Sequence, residues 1–401
     1  MTPLVLRDFT ATSCIGRGIQ ATLDSIRAQC SGLVRCAFET VTLETYIGEV
    51  PGVDEVRLPA TLHRFDCRNN RLAYLGILQD GFVDAVAACV GRWGSRRVGL
   101  FLGTSTSGML ETELAYRRRD TATGALPADF DYAGSHNSYS LAAFLRPILG
   151  LDGPSAVVSS ACSSSAKAFG SARRMIAAGV IDAAVVGGVD SLCLTTLYGF
   201  HSLQLVSRTP CRPFDVARDG ISIGEAAAFA LIERAPQTLA ADDILLLGVG
   251  ESSDAYHMST PHPEGRGAQA AMLQALDDAG LAASDIDYIN MHGTGTPNND
   301  SAEAKAVATV FAAREQPVAA SSTKGATGHT LGAAGALEAV ICALALRHGL
   351  LPGSANTRQV DAVPGFQYLC ASRDQAIARA LSNSFGFGGS NCALVLGRAP
   401  C

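Results

Sequence analysis

The sequence predicts an α/β protein built from two similar halves, and three observations carry that expectation. Short, continuously apolar runs such as 98–103 and 181–189 have the character of buried strands. Longer stretches with helical spacing alternate with them. Near residue 235 the alternation restarts, and each half contains a corner of small residues feeding a long helix. The expected division is 1–238 and 239–401.

In chain order, 4–9 reads as a first strand and 19–29 as a helix, with irregular or extended chain over 39–50. One helix is expected over 72–89 and a buried strand over 98–103. The small-residue turn Thr104 to Gly108 then opens a further helix. Residues 117–132 are polar and read as a loop, and 140–149 as a helix. A strand ending at Val157-Val158 runs into a serine-rich corner around Cys162, and a helix follows over 166–178. Strands over 181–189, 226–233 and 244–250 come next, with a proline-bearing polar loop at 207–215. The second half gives helices over 267–279, 301–311 and 332–347, and strands over 286–291, 318–321 and 392–396.

With 401 residues, 48% hydrophobic and 17% charged, the chain has enough apolar surface for a large core and for burial between lobes or subunits. A net charge of −6 argues against nucleic acid as the main partner. The twelve cysteines show no CxxC pairs or zinc spacing, so no metal is expected and most are read as reduced packing residues. The start does not resemble a signal peptide, and no glycine-free apolar run is long enough to span a bilayer; the expectation is a cytoplasmic protein.

Chemistry concentrates in four places. Cys162 sits where a strand turns into a helix, near N-terminal amides that favour a thiolate; alone, it equally fits a packing thiol. His292, in HGTGT, follows a buried strand. His329, in KGATGHTLGAAG, stands beside a helix N-terminus that biases its ring toward the neutral form, able to donate to an oxyanion. Lys324 in the same motif is one of only three lysines. Last comes the glycine-rich NSFGFGGSN, whose glycines around Phe387 allow its amide to face a site and its ring to swing.

Together these motifs, in this order from about residue 95 to the C-terminus, resemble the elongating β-ketoacyl-acyl carrier protein synthases. The resemblance implies a thiolase fold, a duplicated five-layered α/β/α/β/α architecture, usually as a homodimer and without a cofactor. It makes Cys162 the acyl-accepting nucleophile and His292 and His329 the groups that assist malonyl decarboxylation. Lys324 becomes a supporting residue paired with Glu338. The amides of Cys162 and Phe387 become the oxyanion hole, and Phe387 a gate to the acyl pocket. Thr294 and Thr296 would bind the pantetheine arm, with Phe200 and Thr106 near the acyl chain. Arg64, Arg68, Arg71 and Arg208 would meet an acidic acyl carrier protein. Residues 189–200 are similar to ketosynthases of aryl polyene pigment clusters, some of which work beside a nucleophile-free homologue, so a heterodimer stays open. Three departures concern the first strand, which lacks the family's glycine-containing turn, so that the N-terminus is expected to be trimmed or repacked; the run Ser163-Ser164-Ser165, more serine-rich than is common; and Thr106, which with it bears on chain length.

Three alternatives are distinguishable. A thiolase needs a second catalytic cysteine, and Cys392 is poorly placed for it. An initiating synthase carries asparagine where His329 stands. A non-catalytic partner subunit loses the nucleophile, which is present here.

Overall fold

The computed structural model describes residues 3–361 and 365–399. Ten strands form two sets of five. The first holds β1 (Leu4–Ser13), β2 (Val98–Gly103), β3 (Ser155–Val158), β4 (Ala183–Asp190) and β5 (Ala226–Arg234). The second holds β6 (Ile244–Ser253), β7 (Tyr288–Asn290), β8 (Val318–Ser321), β9 (Arg379–Gly386) and β10 (Ser390–Arg398). Their spatial orders, β3-β2-β4-β5-β1 and β8-β7-β9-β10-β6, are the same pattern twice. In both sets the first two pairings are parallel and the last two antiparallel. The sets join where Leu4, Val5 and Leu6 of β1 pair with Leu246, Leu245 and Ile244 of β6. A short strand, Phe366–Tyr368, extends the second set beyond β8.

Helices α1 (Ile19–Arg27), α2 (Arg68–Ile77), α3 (Phe82–Trp93), α4 (Met109–Arg117), α5 (Ser140–Leu149), α6 (Ser164–Ala177), α7 (Leu194–Ser202), α8 (Arg266–Ala279), α9 (Pro297–Val310), the single turn α10 (Lys324–Thr327) and α11 (Ala334–His348) complete the elements described here. Helices α6 and α11 touch each other and strands of both sets, so they form a middle layer. Helices α2, α3 and α5 cover the far face of the first set, and α8 and α9 that of the second. Five layers result, as expected.

Within the middle layer α11 is buried on every side, whereas α6 keeps an exposed edge at Arg174. Every residue of α11 from Ala334 to Leu346 is buried, Glu338 included. By length and hydropathy residues 331–348 could cross a bilayer, but 89% of them are buried inside the protein, as in a core helix. Gly335 lets α6 and α11 approach closely, since a Cβ there would stand 2.7 Å from the Cβ of Ala166.

Two expectations are corrected. The single helix over 72–89 is two helices, α2 and α3, bent by 75°. Asp80 (φ 57°) and Gly81 (φ 69°) adopt the left-handed conformation that ends a helix. Asp80 is drawn aside to accept the Ile19 amide (3.0 Å) at the start of α1 and the Thr10 hydroxyl (2.7 Å). The first strand is neither trimmed nor displaced: β1 runs beside β5 from Leu4 to Ser13 and lies in the middle of the joined sheet.

Candidate active site

The duplicated strands present two equivalent corners to one cavity. In the first, β3 leads through Ala161, at φ 52°, to Cys162, and α6 begins at Ser164. In the second, β8 leads through α10 and His329 to Leu331, at φ 51°, then Gly332, and α11 begins at Ala334. Ala161 and Leu331 each stand three residues before their helix, so Gly332 occupies the place that Cys162 holds in the first corner. A positive φ outside glycine costs about 1–3 kcal/mol, and it recurs here at both corners of the site.

One segment, 222–224, fixes His329 from both sides of its backbone. Its amide donates to Ser222 O (2.7 Å), and its carbonyl accepts from Gly224 N (3.0 Å). This places its Nε2 3.0 Å from Cys162 Sγ. The His292 ring stands nearly perpendicular to it with centroids 5.3 Å apart. His292 lies just after β7, where the carboxylate of Glu303 accepts the His292 and Gly293 amides, each at 2.8 Å. Asn383 of β9 donates to the same carboxylate at 3.0 Å.

Lys324 Nζ lies 3.4 Å from His292 Nδ1 and also contacts Glu338. Lysine has only donors, so Nδ1 accepts and the cavity-facing Nε2 of His292 carries the hydrogen. Ligand atoms of Cys162, His292 and His329 lie within 4.8 Å of one another, a spacing a metal ion could use. The tautomer set by Lys324 removes the free electron pair such a ligand needs, and makes His292 a hydrogen-bond donor instead.

Burial sets the protonation states. Desolvation and the charge of Lys324 hold His329 well below its ordinary value, and His292 likewise, so both rings are neutral, as expected for His329. The expectation of a resting thiolate is corrected. Cys162 is 4% exposed, and burial pushes its thiol up to about 12. Asp190 adds to that rise, while Lys324 and the amides of Phe387 and Cys162 oppose it. The helix N-terminus does not outweigh the loss of water. Cys162 is therefore a thiol with a neutral imidazole within proton-transfer distance. Burial also raises Glu303 and Glu338 to about 7, partly offset by their hydrogen-bond donors.

The cavity, about 200 Å³, is lined by Cys162, His292, His329, Thr294, Thr296, Phe200 and Phe387 among others. The hydroxyls of Thr294 and Thr296 lie 2.9 Å apart. The rings of Phe200 and Phe387 pack at 5.4 Å, closing one side of the chamber. The Phe387 and Cys162 amides both lie beside the Cys162 sulfur.

Other placements differ. Thr106 is not in the cavity wall; it is 2% exposed, with its hydroxyl 2.8 Å from the Asp190 carboxylate. Arg68 is no docking residue: it is buried against Glu225, Asp54 and Glu49. Arg71 is bound to Asp66 (2.5 and 2.9 Å) and Arg64 to Asp131 (3.1 Å). Arg208 is exposed. Sequence reasoning missed Glu303, Asn383 and Asp190. Glu303 left a trace, because Asp300, Glu303 and Val307 fall at helical spacing on the buried face of α9.

Residues 88–238 match the beta-ketoacyl synthase N-terminal domain, and residues 245–358 the C-terminal domain. The mitochondrial 3-oxoacyl-[acyl-carrier-protein] synthase of Arabidopsis thaliana is 40% identical over 61% of this chain; the matched stretch spans 57% of that relative's length. The 3-oxoacyl-[acyl-carrier-protein] synthase 2 of Coxiella burnetii is 36% identical over 75% of each chain. A ketosynthase (ApeO) from Xenorhabdus doucetiae, solved in complex with its chain length factor (ApeC), superposes with a TM-score of 0.87 at 37% identity, covering 99% of this chain and 98% of that one. The chain belongs to the beta-ketoacyl synthase family of condensing enzymes.

Proposed function

We propose that the protein is a 3-oxoacyl-acyl carrier protein synthase, an acyltransferase that joins an enzyme-bound acyl group to malonyl-acyl carrier protein with loss of carbon dioxide. The observation that carries this is the buried thiol 3.0 Å from His329 Nε2, with the donor nitrogen of His292 facing the same chamber. In the first half-reaction Cys162 attacks the acyl-carrier thioester. Its proton passes to His329 as the carbon–sulfur bond forms, so a bare thiolate never has to persist in the buried site. The carbonyl oxygen gains negative charge between the Cys162 and Phe387 amides. On collapse the carrier sulfur leaves and takes up a proton.

In the second half-reaction the malonyl thioester loses carbon dioxide. The electron pair of the broken bond moves into an enolate, whose oxygen is held by the Nε2–H of His292 with His329 flanking it. The enolate carbon attacks the acyl group on Cys162; collapse breaks the bond to the Cys162 sulfur and releases the 3-oxoacyl thioester, and the sulfur takes up one proton from solvent by way of His329 to return as the thiol. Thr294 and Thr296 line the route of the carrier's arm, and the Phe200–Phe387 pair must part to admit an acyl chain. The test supplies acyl and malonyl carrier thioesters and follows both products. Carbon dioxide and 3-oxoacyl carrier should appear in equal amounts. Acyl exchange without carbon dioxide release would overturn the reading.

The Xenorhabdus relative, solved with its chain length factor, supports a heterodimer as the working form. The similarity of residues 189–200 to aryl polyene ketosynthases fits the same arrangement. Solution mass with and without a Cys-less homologue decides between it and a homodimer.

A further inference from the structure

Asp190 ends β4 with its side chain fully buried. It has no part in the chemistry above, yet every neighbour it meets donates to it. Oδ1 accepts the Thr104 hydroxyl (2.7 Å), the Ser105 and Thr106 amides (2.8 Å each) and the Thr106 hydroxyl (2.8 Å). Oδ2 accepts the Ser105 hydroxyl (2.6 Å) and the Gly332 amide (2.5 Å).

The last of these is the informative one, because Gly332 is the counterpart of Cys162. In the first corner the amide after the positive-φ residue is left to polarise a substrate carbonyl. In the second, the equivalent amide already holds an anion, and that anion is Asp190. The counterpart of Asp190 at the end of β9 is Gly386, which has no side chain to fill the first corner in the same way. The fit is specific to glycine at 332, since a Cβ would lie 2.8 Å from Asp190 Oδ2 and 3.0 Å from Ser105 N.

We propose that Asp190 is a positioning residue for condensation: its carboxylate fills the anion site of the second corner and ties the Thr104–Thr106 loop to the Leu331–Ala333 turn, fixing where His329 stands relative to Cys162. Five donors from Thr104–Thr106 fix this carboxylate in the first half, and the sixth, the Gly332 amide, ties it to the second half three residues from His329. Release of that tie lets the turn drift, and displacement by about 1 Å costs on the order of 100-fold in rate. The same charge acts on the thiol, together with Lys324 and the two neighbouring imidazoles, His329 and His292.

This rests on the condensing activity proposed above, and the test separates the two. Alkylation of Cys162 by iodoacetamide across pH needs no substrate. In Asp190→Asn, kcat for condensation is expected to fall about 100-fold with KM within about 2-fold of the parent. The alkylation profile should also move to lower pH, because a negative charge that raises the thiol is gone. Gly332→Ala, which disturbs the tie but keeps the charge, should lose kcat without that downward move. An Asp190→Asn protein with parental kcat and an unmoved profile overturns the proposal. If that variant does not fold, parental kcat in Gly332→Ala overturns it equally.

Discussion

The two corners of the cavity share one backbone path and do opposite work. In the first, a strand, a positive-φ alanine and a helix N-terminus present a side chain, Cys162, and leave their amide free. In the second, the same path through Leu331 presents glycine and fills its amide with Asp190, while His329 stands three residues before that glycine. Duplication gave two equivalent backbone corners, and Asp190 fills the amide of the second. On the proposed mechanism the difference lets a symmetric scaffold carry an asymmetric reaction: one corner would accept the acyl group, and the other would hold the group that moves its proton.

That contrast can be broken from either side. The largest effect is expected from His329→Ala, which removes the proton acceptor 3.0 Å from the sulfur. Acyl transfer to Cys162 should slow by about 10²–10⁴-fold, measured by single-turnover loading, while the thiol count stays at the parent value. Lys324→Ala comes next. It frees the Nδ1 of His292 to take the hydrogen, so carbon dioxide release should fall about 100-fold while acyl loading changes much less. Equal losses in both half-reactions would show that Lys324 serves the two corners alike.

A pH profile gives the third test. Glu303 and Glu338 both sit at about 7, raised by burial. Below that value protonation converts the acceptor of the His292 and Gly293 amides, and the partner of Lys324, to neutral acids. Activity should therefore decline as pH falls through about 7. The sign for stability is opposite: a carboxyl raised in the fold contributes most below its unfolded value, and that contribution is lost as pH rises through about 7. The kcat/KM profile and thermal midpoints over pH 5–9 check both, and Glu303→Gln should remove part of the acid limb. The smallest effect belongs to the rim. Arg208→Glu should raise KM for carrier-bound substrate a few-fold and spare small thioesters. Arg68→Ala is a contrasting control, since it leaves Glu225 buried and unpaired and should lower stability by about 3–5 kcal/mol.

How far the sequence revealed this site follows from the range of the interactions. Strands 98–103 and 318–321 and helix 140–149 coincide with Val98–Gly103, Val318–Ser321 and Ser140–Leu149, because their signals are local. The cysteine and histidine corners were legible because small residues next to a strand leave a mark in the chain itself. The break at Asp80 was not, since what pulls that residue out of its helix is the start of α1, some 60 positions away. Strand β9 left no strand signal: its last four residues fall in the glycine-rich NSFGFGGSN, and its apolar alternation is weakened by Ser382, Asn383 and Ser384. Arg68 and Arg208 look alike in sequence; only the fold shows that three acids enclose the first. The expectation of a thiolate failed for a related reason, because the helix end is visible in the sequence and the desolvation around it is not.

The most direct measurement is intact-mass analysis of the protein after incubation with a panel of acyl carrier thioesters, wild type beside Cys162→Ala. The account predicts a mass increase of one acyl group on the wild type, mapping to Cys162, discharged when malonyl carrier is added, and absent from the variant. An acyl adduct that persists in Cys162→Ala, or that maps to another cysteine, would contradict it.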